Sequence, residues 1–295
     1  MLDHSQTELR FQRVTIVGLG LLGGSWGLAL KQAGFAGHIV GYARRAETRE
    51  QAVRIGAVDE AFGEVAEAIH AADLVILATP VAVILDHLAR LQPLLPPRAL
   101  VTDVGSTKRR ICEQAAESYS GEPLFVGGHP MAGKERSGLD QADACLFAGA
   151  RYILTPLRPE HLQDTRVLAF LALVKAVGAR PLTSDAATHD LAVAYLSHLP
   201  QLLSSGLASL IDEKHGAAHL PLEVAASGFR DLTRLADSPY SVWRDICLTN
   251  SENIRRALDA LIEKLESIKV HLGDRDLERE FVAAHRLRDK LQELS

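Results

Sequence analysis

Short apolar runs alternate with helical stretches over the first half of the chain. Six runs rich in β-forming residues lie between residues 13 and 156: RVTIVG, HIVGY, DLVILATP, ALVTDVG, LFVGG and RYILTP. Runs that are apolar on both faces are typical of strands in a parallel sheet covered by helices. A further helix, FLALVKAVG, and an edge strand, ARPLTS, are predicted to follow. The pattern therefore predicts an α/β domain over residues 1–184.

From residue 185 to the end, the pattern becomes helical. Apolar side chains recur at spacings of three and four, which places them on one face of a helix. They are Ile254, Leu258, Leu261, Leu265 and Ile268. Gly273 is positioned to end that helix, and a charged final helix is predicted after it. We interpret residues 185–295 as an all-α domain, and we expect it to complete its core by pairing with a second copy in a homodimer.

The composition is that of a folded protein whose partners are small molecules or its own copies. Hydrophobic residues make up 47% of the 295 residues, charged residues 23%, and the formal net charge is -5. This balance gives no electrostatic reason to expect nucleic acid or an anionic membrane as a partner. The longest apolar stretch, residues 74–85, is too short to span a bilayer. Three widely separated cysteines imply no disulfide framework, so we expect a cytoplasmic protein.

A glycine-rich turn joins the first predicted strand to the first predicted helix. Gly18, Gly20 and Gly23 form a GxGxxG motif, with Leu21 and Leu22 inside it. Between a strand and a helix, such glycines permit a tight turn and let backbone N–H groups approach a pyrophosphate. We expect these five residues to bind a dinucleotide. The alternative is a glycine-rich turn without a ligand.

The residues after the second predicted strand bear on the choice of nicotinamide cofactor. An NAD-specific site usually has an acidic residue here that binds the ribose 2′-hydroxyl, but this chain has Ala43, Arg44 and Arg45. Guanidinium groups suit the 2′-phosphate of NADP, because arginine binds phosphate through two hydrogen bonds. We therefore expect NADP to be favoured over NAD. Alternatively, the two arginines are solvated loop residues.

Polar groups after the later strands are expected to face the same crevice, because ligands of open α/β sheets bind beyond the carboxyl ends of the strands. Thr79 and Pro80 follow the third strand, and Asp103 and Ser106 follow the fourth. We expect Thr79, Pro80 and Asp103 to contact the cofactor. His129 follows the next strand between glycines and a proline, which makes it a candidate acid, base or hydrogen-bond partner. The alternative is a structural histidine.

Longer motifs continue this pattern into the helical half. They are GLGLLGGS, TDVGSTK, FVGGHPMAGKERSG, LFAGARYILTP, SHLP, and GFRDLTRLADS with Trp243 downstream. In this order, between about residues 14 and 250, the motifs resemble the prephenate and arogenate dehydrogenases of tyrosine biosynthesis. The resemblance implies an N-terminal Rossmann-type dinucleotide-binding domain and an all-α C-terminal dimerisation domain. It also implies oxidative decarboxylation of arogenate or prephenate, with hydride transfer to NAD(P)⁺.

The resemblance further implies roles for individual side chains. His129 would accept the proton or hydrogen bond of the substrate's ring hydroxyl, and Ser106 would hold that hydroxyl and the imidazole in register. Arg234 would bind a substrate carboxylate, while His198 and Trp243 would complete the pocket. With an unperturbed histidine pKa of about 6.5, activity would fall on the acid side through that region.

Two residues bear on the choice of substrate. Gln201 stands where family members that act on prephenate commonly continue SHLP with a histidine. Asp231 lies three residues before Arg234, where it would attract the ammonium of arogenate and repel the side-chain carboxylate of prephenate. Alternatively, Asp231 pairs with Arg230 or Arg234 and orients it. We expect arogenate to be favoured, with prephenate used less well.

Other functions are also compatible with a dinucleotide-binding domain. A two-domain β-hydroxyacid dehydrogenase would carry a catalytic lysine on the first helix of its second domain, but residues 187–207 contain none. A non-catalytic NADP-binding sensor would not require His129 or Arg234. We expect no metal site, because His215 and His219, which are spaced as helical ligands, lack a third ligand nearby.

Overall fold

The structure is a computed structural model that describes residues 11–218 and 220–293. It divides into two compact units, one ending at Ser251 and the other beginning at Glu252. We describe each unit by itself. In the part of the chain that the structure describes, no helix is long and apolar enough to cross a membrane.

One eight-stranded sheet forms the centre of the first unit. Its strands are β1 (Arg13–Val17), β2 (His38–Tyr42), β3 (Glu60–Phe62), β4 (Leu74–Leu77), β5 (Leu100–Asp103), β6 (Leu124–Pro130), β7 (Arg151–Pro156) and β8 (Arg180–Thr183). The spatial order is β3-β2-β1-β4-β5-β6-β7-β8. The Rossmann-type α/β class predicted from the sequence is confirmed, and ARPLTS forms the predicted edge strand.

The sheet departs from the sequence prediction at two strands. Strand β7 runs antiparallel to β6, with His129 opposite Ile153. A parallel neighbour would need a crossover connection, usually a helix, but the chain between β6 and β7 contains only the short 3₁₀ turn Leu139–Gln141. Strand β3 was not predicted, because three residues are too few to show an alternating pattern.

Helices cover both faces of the sheet, and the chain after the last strand is entirely helical apart from its connecting turns in the described residues. They are α1 (Leu21–Gln32), α2 (Ala46–Arg54), α3 (Val65–Ile69), α4 (Val81–Leu91), α5 (Arg109–Ser118), α6 (Thr165–Ala176), α7 (Ala186–Val193), α8 (Leu199–Ala218), α9 (Ser227–Thr233) and α10 (Tyr240–Thr249). Two last helices, α11 (Ser251–Val270), which lies in the second unit except for its first residue, and α12 (Asp276–Glu293), flank the turn that contains Gly273. The predicted domain boundary at residue 184 falls between β8 and α7 and stays a prediction.

The core lies on the two sides of the central strands. On one side the Trp26 ring packs against Phe147, Tyr152 and Phe170, with centroid distances of 5.2, 5.7 and 5.9 Å. On the other side, apolar residues of β4, β5 and β6 pack under α4 and α5. Strands β4 and β5 are buried along their whole length, as expected for a sheet with helices on both faces. This packing fixes the strand ends that form the site.

A π-helical segment, Ala194–His198, connects α7 to α8. It lies just before Pro200. Proline has no N–H to donate, so the regular hydrogen-bond ladder is interrupted at this position. π-helical turns insert one extra residue and occur frequently at functional sites. Here the insertion carries His198, whose side chain is buried.

Candidate active site

The glycine turn after β1 has the geometry of a dinucleotide site. Gly18 has a φ of +104°, a conformation that residues with a Cβ rarely adopt. A Cβ at Gly23 would lie 1.9 Å from the Gly18 carbonyl oxygen, so the turn requires glycine there as well. Gly20 immediately precedes α1, and a Cβ on it would meet open space. The residues present therefore fit a pyrophosphate above the N-terminus of α1, where Leu21 and Leu22 supply the first backbone N–H groups.

Basic side chains surround the loop after β2. Arg44 and Arg45 are exposed, and Arg45 is the residue directly before α2. Arg49, on α2, donates hydrogen bonds of 2.9 Å from Nη1 to the carbonyl oxygens of Ala43 and Arg44. Arg49, which fixes the backbone of this loop, was not predicted from the sequence. The loop can thus present guanidinium groups to a phosphate.

The end of β4 lies beside the glycine turn. A Cβ on Gly18 would come within 2.7 Å of Thr79 Cγ2, so Thr79 packs directly on the turn. Pro80 immediately precedes α4, and the buried carboxylate of Asp245 accepts a hydrogen bond of 3.1 Å from Ala82 N–H in the first turn of that helix. Thr79 and Pro80 are therefore placed next to the expected cofactor position.

Asp103 requires a correction, because the structure does not place it against the cofactor. Its side chain is fully buried and forms an ion pair with Lys108, which is also fully buried. Its carboxylate also accepts N–H groups of Gly105 at 2.8 Å and Gly128 at 3.1 Å. Both oxygens are thus used inside the protein. Asp103 supports the loop between β5 and α5 instead of binding a ligand.

His129 lies in the part of β6 that extends beyond the parallel pairing with β5. That pairing ends at Val126, and from there β6 pairs only with β7. The His129 imidazole is buried, and its Nδ1 is 2.8 Å from Nε2 of His189. His189 Nδ1 is in turn 2.8 Å from Oδ1 of Asp190. Neither His189 nor Asp190 was predicted from the sequence, although two adjacent polar residues within the apolar run of α7 were a usable signal.

Burial changes the protonation expected for His129. The pKa of His129 is held well below its usual value, first by burial and then by the neighbouring His189, Lys108 and His198. The sequence-based expectation of a His129 titration near 6.5 is therefore wrong. A neutral imidazole at ordinary pH is the form that can accept a proton.

Ser106 lies on the turn between β5 and α5 and is partly exposed. Within residues 11–218 and 220–293 it makes no hydrogen bond, so the expected link between Ser106 and the His129 imidazole is not formed. Its hydroxyl remains available to a bound substrate. The role of Ser106 stays a prediction.

The side chains of His198 and Trp243 are in contact, and their expected role in the substrate pocket stays a prediction. Their rings contact edge to face, with centroids 5.8 Å apart. His198 Nδ1 lies 3.3 Å from the amide nitrogen of Asn250, which also donates to the Asp190 carbonyl oxygen at 2.7 Å. Burial lowers the pKa of His198 to about 4, while the Asp190 charge opposes the shift. His198 is therefore a neutral acceptor, which Asn250 holds in place.

Gln201 has a structural role that the sequence analysis did not foresee. It is buried, and its Nε2 donates to the Leu235 carbonyl oxygen at 2.7 Å and to Ser205 Oγ at 3.2 Å. The first bond ties α8 to the 3₁₀ turn Arg234–Asp237. Gln201 therefore positions the turn that carries Arg234.

Arg234 reaches across to the loop that follows His129. Its Nη1 pairs with the carboxylate of Glu135, which lies 99 positions earlier in the sequence, and 61% of the Arg234 side chain remains exposed. Asp231 is exposed on α9 and, among the described residues, pairs with neither Arg230 nor Arg234. The alternative in which Asp231 orients an arginine is thus not seen.

Of the two histidines considered as metal ligands, His219 lies outside the described residues.

A mostly parallel sheet with a glycine turn at the end of its first strand and a buried imidazole at the end of a later strand is typical of a dinucleotide-dependent dehydrogenase. The chain belongs to the prephenate dehydrogenase family. Residues 26–182 match the model of the prephenate dehydrogenase nucleotide-binding domain, and residues 185–287 match that of the dimerization domain. The family's activity is NAD-linked oxidative decarboxylation. This assignment favours a dehydrogenase of this family over the sensor and β-hydroxyacid dehydrogenase alternatives.

Individual relatives carry both substrate names of the family. The prephenate dehydrogenase of Bacillus subtilis is 35% identical over 287 residues, which cover 94% of this chain and 76% of the relative. The structure of A. aeolicus prephenate dehydrogenase with hydroxyphenyl propionate and NAD⁺ has a TM-score of 0.83 at 30% identity, covering 98% of this chain and 100% of that one. The Synechocystis arogenate dehydrogenase structure has a TM-score of 0.78 at 31% identity, covering 95% and 99%.

Proposed function

We propose that this enzyme oxidatively decarboxylates arogenate in preference to prephenate and favours NADP over NAD. The observation that carries the reaction type is the buried His129 imidazole, whose Nδ1 is bonded to His189 and whose Nε2 is left for a substrate. Arg234, contributed by the helical half, is brought to the loop that follows His129. The pairing of Arg234 with Glu135 supports a site that combines a proton acceptor and a carboxylate-binding cation from distant parts of the chain.

His129 acts on the ring hydroxyl of the substrate. The nicotinamide, when bound, takes the hydride from the carbon that bears this hydroxyl. His129 Nε2 holds the hydroxyl proton as the carbon is oxidised, and the lowered pKa of His129 keeps the imidazole neutral beforehand. Ser106, on the adjacent turn, orients the hydroxyl. After loss of the ring carboxylate as CO₂, the proton returns to the phenolic oxygen of the aromatic product.

Arg234 binds a carboxylate of the dianionic substrate. Beyond the Nη1 contact with Glu135, its guanidinium makes no other hydrogen bond to a residue that the structure describes. Paired donors on one guanidinium suit a carboxylate. His198 and Trp243 form the adjoining wall, since their rings are in contact.

The preference for NADP is supported by the loop after β2. Arg44 and Arg45 are exposed there, and the nearest acidic side chain, Glu47, is exposed on the first turn of α2. Arg49 holds the loop backbone through two hydrogen bonds, so the backbone that carries Arg44 and Arg45 has a fixed position. Charge-assisted contacts of this kind favour a ribose phosphate over a ribose hydroxyl.

The preference for arogenate is supported by two side chains. Asp231 is exposed and carries an unpaired charge within the described structure, which suits the ammonium of arogenate. Gln201 contributes no positive charge where a histidine would, and its amide N–H groups are used by Leu235 and Ser205. A negative charge that pairs with no cation among the described residues disfavours the second carboxylate of prephenate.

We also propose a homodimer formed through the helical half. The match to a dimerization domain over residues 185–287 supports it. Large apolar side chains in this half are exposed in the single chain, among them Leu196 at 78% and Leu248 at 71%. Such side chains are commonly covered by a partner subunit. The molecular mass in solution, measured by light scattering, tests this assignment.

The test of the function is a set of initial rates with purified protein. Reduction of nicotinamide is followed with arogenate and with prephenate, each with NADP and with NAD. We expect the highest kcat/KM for arogenate with NADP. Turnover of neither substrate would overturn the proposed reaction. Equal efficiency with NAD and NADP would overturn the cofactor preference alone.

A further inference from the structure

Behind His129, two more side chains continue a hydrogen-bonded chain into the protein. His129 Nδ1 meets His189 Nε2 at 2.8 Å, and His189 Nδ1 meets Asp190 Oδ1 at 2.8 Å. All three side chains are buried, with His189 and Asp190 each only 1% exposed. The chain therefore runs from the expected substrate position to a carboxylate that water does not reach.

The carboxylate of Asp190 is held at the beginning of α5. It accepts N–H groups of Lys108 at 2.7 Å and of Arg109, the first residue of α5, at 3.0 Å. Two amide donors and the positive end of a helix dipole favour the charged form of a carboxyl group. Asp190 is thus a fixed anion whose remaining partner is His189.

The anion determines which ring nitrogens carry protons. A carboxylate only accepts, so His189 Nδ1 must donate to Asp190. In a neutral His189 the Nε2 atom is then an acceptor, and His129 Nδ1 must donate to it. A neutral His129 is left with a lone pair on Nε2, the atom available to the substrate hydroxyl. The network thus selects the tautomer that the reaction needs.

Burial creates a second requirement, because a positive charge on His129 is costly. Its pKa is held well below its usual value by burial, with smaller contributions from His189, Lys108 and His198. The Lys108 ammonium, which pairs with Asp103 and donates to the Gly128 carbonyl oxygen, is itself a cation and adds to this cost. The only anion that faces the two imidazoles among the described residues is Asp190, and it contacts His189.

We propose that His189 and Asp190 form a relay that fixes the tautomer of His129 and stores the substrate proton during the reaction. This rests on the proposed function. As the ring carbon is oxidised, the hydroxyl proton moves to His129 Nε2, and the proton on His129 Nδ1 moves to His189 Nε2. His129 is then neutral, and a His189 imidazolium faces the Asp190 carboxylate. Both transfers reverse when the phenolate oxygen of the product takes its proton back, so no proton is gained or lost.

The first test needs neither substrate nor cofactor. In isotope-labelled protein, proton–nitrogen correlations report which ring nitrogen of each histidine carries a proton. We expect Nδ1 of His129 to be protonated and Nε2 to be bare, and we expect the same in His189→Gln, whose amide oxygen can accept the Nδ1 proton. In His189→Leu this preference should be lost. His87→Gln removes another buried imidazole and should leave the His129 signals unchanged. A protonated Nε2 on His129 in the unmodified enzyme would overturn the relay.

The second test separates storage of the proton from orientation of the ring. His189→Gln keeps an acceptor but cannot take up a proton, so kcat should fall by about 10²-fold while KM stays within about threefold. In the unmodified enzyme, acid adds a proton to the histidine pair, which reverses the hydrogen bond and blocks Nε2. In His189→Gln only His129 can titrate, so the acid limb of kcat/KM should move to lower pH.

An unchanged kcat or an unchanged acid limb in His189→Gln would overturn the storage role. If the unmodified enzyme uses neither arogenate nor prephenate, the proposed function fails, yet the ring-nitrogen signals still decide the relay. The two hypotheses therefore fail on different measurements. A purely structural His189 would lower stability but would not move the pH profile.

Discussion

Asp103 and Lys108 form an ion pair from which solvent is completely excluded, across the turn between β5 and α5. The Lys108 ammonium also donates to the Gly128 carbonyl oxygen at 2.7 Å, one residue before His129. The Lys108 backbone N–H donates to Asp190. One residue therefore links β5, β6 and α7, the elements that position both imidazoles of the relay.

Removal of this ammonium should strongly destabilise the protein. Lys108→Met leaves the Asp103 carboxylate buried without its cation, which typically costs about 3–5 kcal/mol of unfolding free energy. Urea unfolding monitored by circular dichroism measures the loss. Adding Asp103→Asn to Lys108→Met removes the unpaired buried charge and keeps a hydrogen-bond acceptor. The double variant should therefore regain a substantial part of the lost unfolding free energy. A double variant as unstable as the sum of the two single variants would contradict this account.

His129→Asn should abolish most of the turnover. The amide retains a polar group but cannot accept a proton, so kcat should fall by about 10²–10⁴-fold, the usual contribution of a positioned acid or base. KM should change little, because Arg234 is untouched. His161→Asn, in the 3₁₀ segment Pro159–Gln163, provides a control of the same chemistry outside the site. A His129→Asn enzyme within a few-fold of the original kcat would show that the imidazole is structural.

The α/β class, most of the strands and the positions of the glycine turn and His129 at strand ends were predictable from the sequence, because they depend on local patterns. The apolar runs locate β1, β4, β5 and β6, and the parallel topology brings their ends together. Asp103 also lies at a strand end, yet it points inward to Lys108. The sequence does not show whether a side chain at a strand end faces a ligand or points into the protein. Here Lys108, five residues after Asp103, is the partner that draws the carboxylate inward.

The parts of the site that depend on contacts between distant residues were not predictable in this way. His189 lies 60 residues from His129, and Glu135 lies 99 residues from Arg234. The local sequence around each of these residues does not indicate which distant residue is its partner. The bond from Gln201 to Leu235 also joins distant residues, so the sequence linked Gln201 to the choice of substrate but did not show that it supports the turn of Arg234.

Buried His198 should make stability depend on pH. Its pKa is lowered by burial to about 4, so between about 6.5 and 4 the unfolded chain binds a proton that the folded protein does not. The free energy of unfolding is therefore unaffected by His198 above about pH 6.5 and decreases as the pH falls. The decrease is about 2 kcal/mol between pH 7 and pH 5. Urea unfolding at these two values measures it. In His198→Gln, the decrease in unfolding free energy over this pH range should be smaller by about that amount, since the His129 contribution is common to both proteins. Equal decreases in the two proteins would contradict the assignment.

Arg44→Ala should weaken NADP binding selectively. A charge-assisted contact to phosphate contributes about 1.5–3 kcal/mol, or roughly one to two powers of ten in KM for NADP. The KM for NAD should stay nearly unchanged, since NAD lacks the phosphate. Arg54→Ala removes the same charge at the far end of α2 and serves as the control. Parallel changes in both KM values would show that Arg44 supports the loop and does not bind the phosphate.

Asp231→Asn should shift substrate choice towards prephenate. In the original enzyme, the exposed carboxylate attracts the ammonium of arogenate and repels the side-chain carboxylate of prephenate. Removing the charge weakens the first interaction and relieves the second, so the ratio of kcat/KM for arogenate to that for prephenate should fall by about tenfold, equivalent to about 1.4 kcal/mol. The ratio is measured at fixed NADP and pH.

Asp237→Asn is the matched control, because Asp237 is also exposed and ends the 3₁₀ turn that Arg234 begins. It changes the net charge equally, so a general electrostatic effect would shift the ratio in both variants. A change confined to Asp231→Asn assigns the discrimination to that carboxylate. If the ratio does not move, or if the original enzyme uses prephenate alone, Asp231 does not select the substrate, and the selectivity must come from the pocket formed by His198 and Trp243.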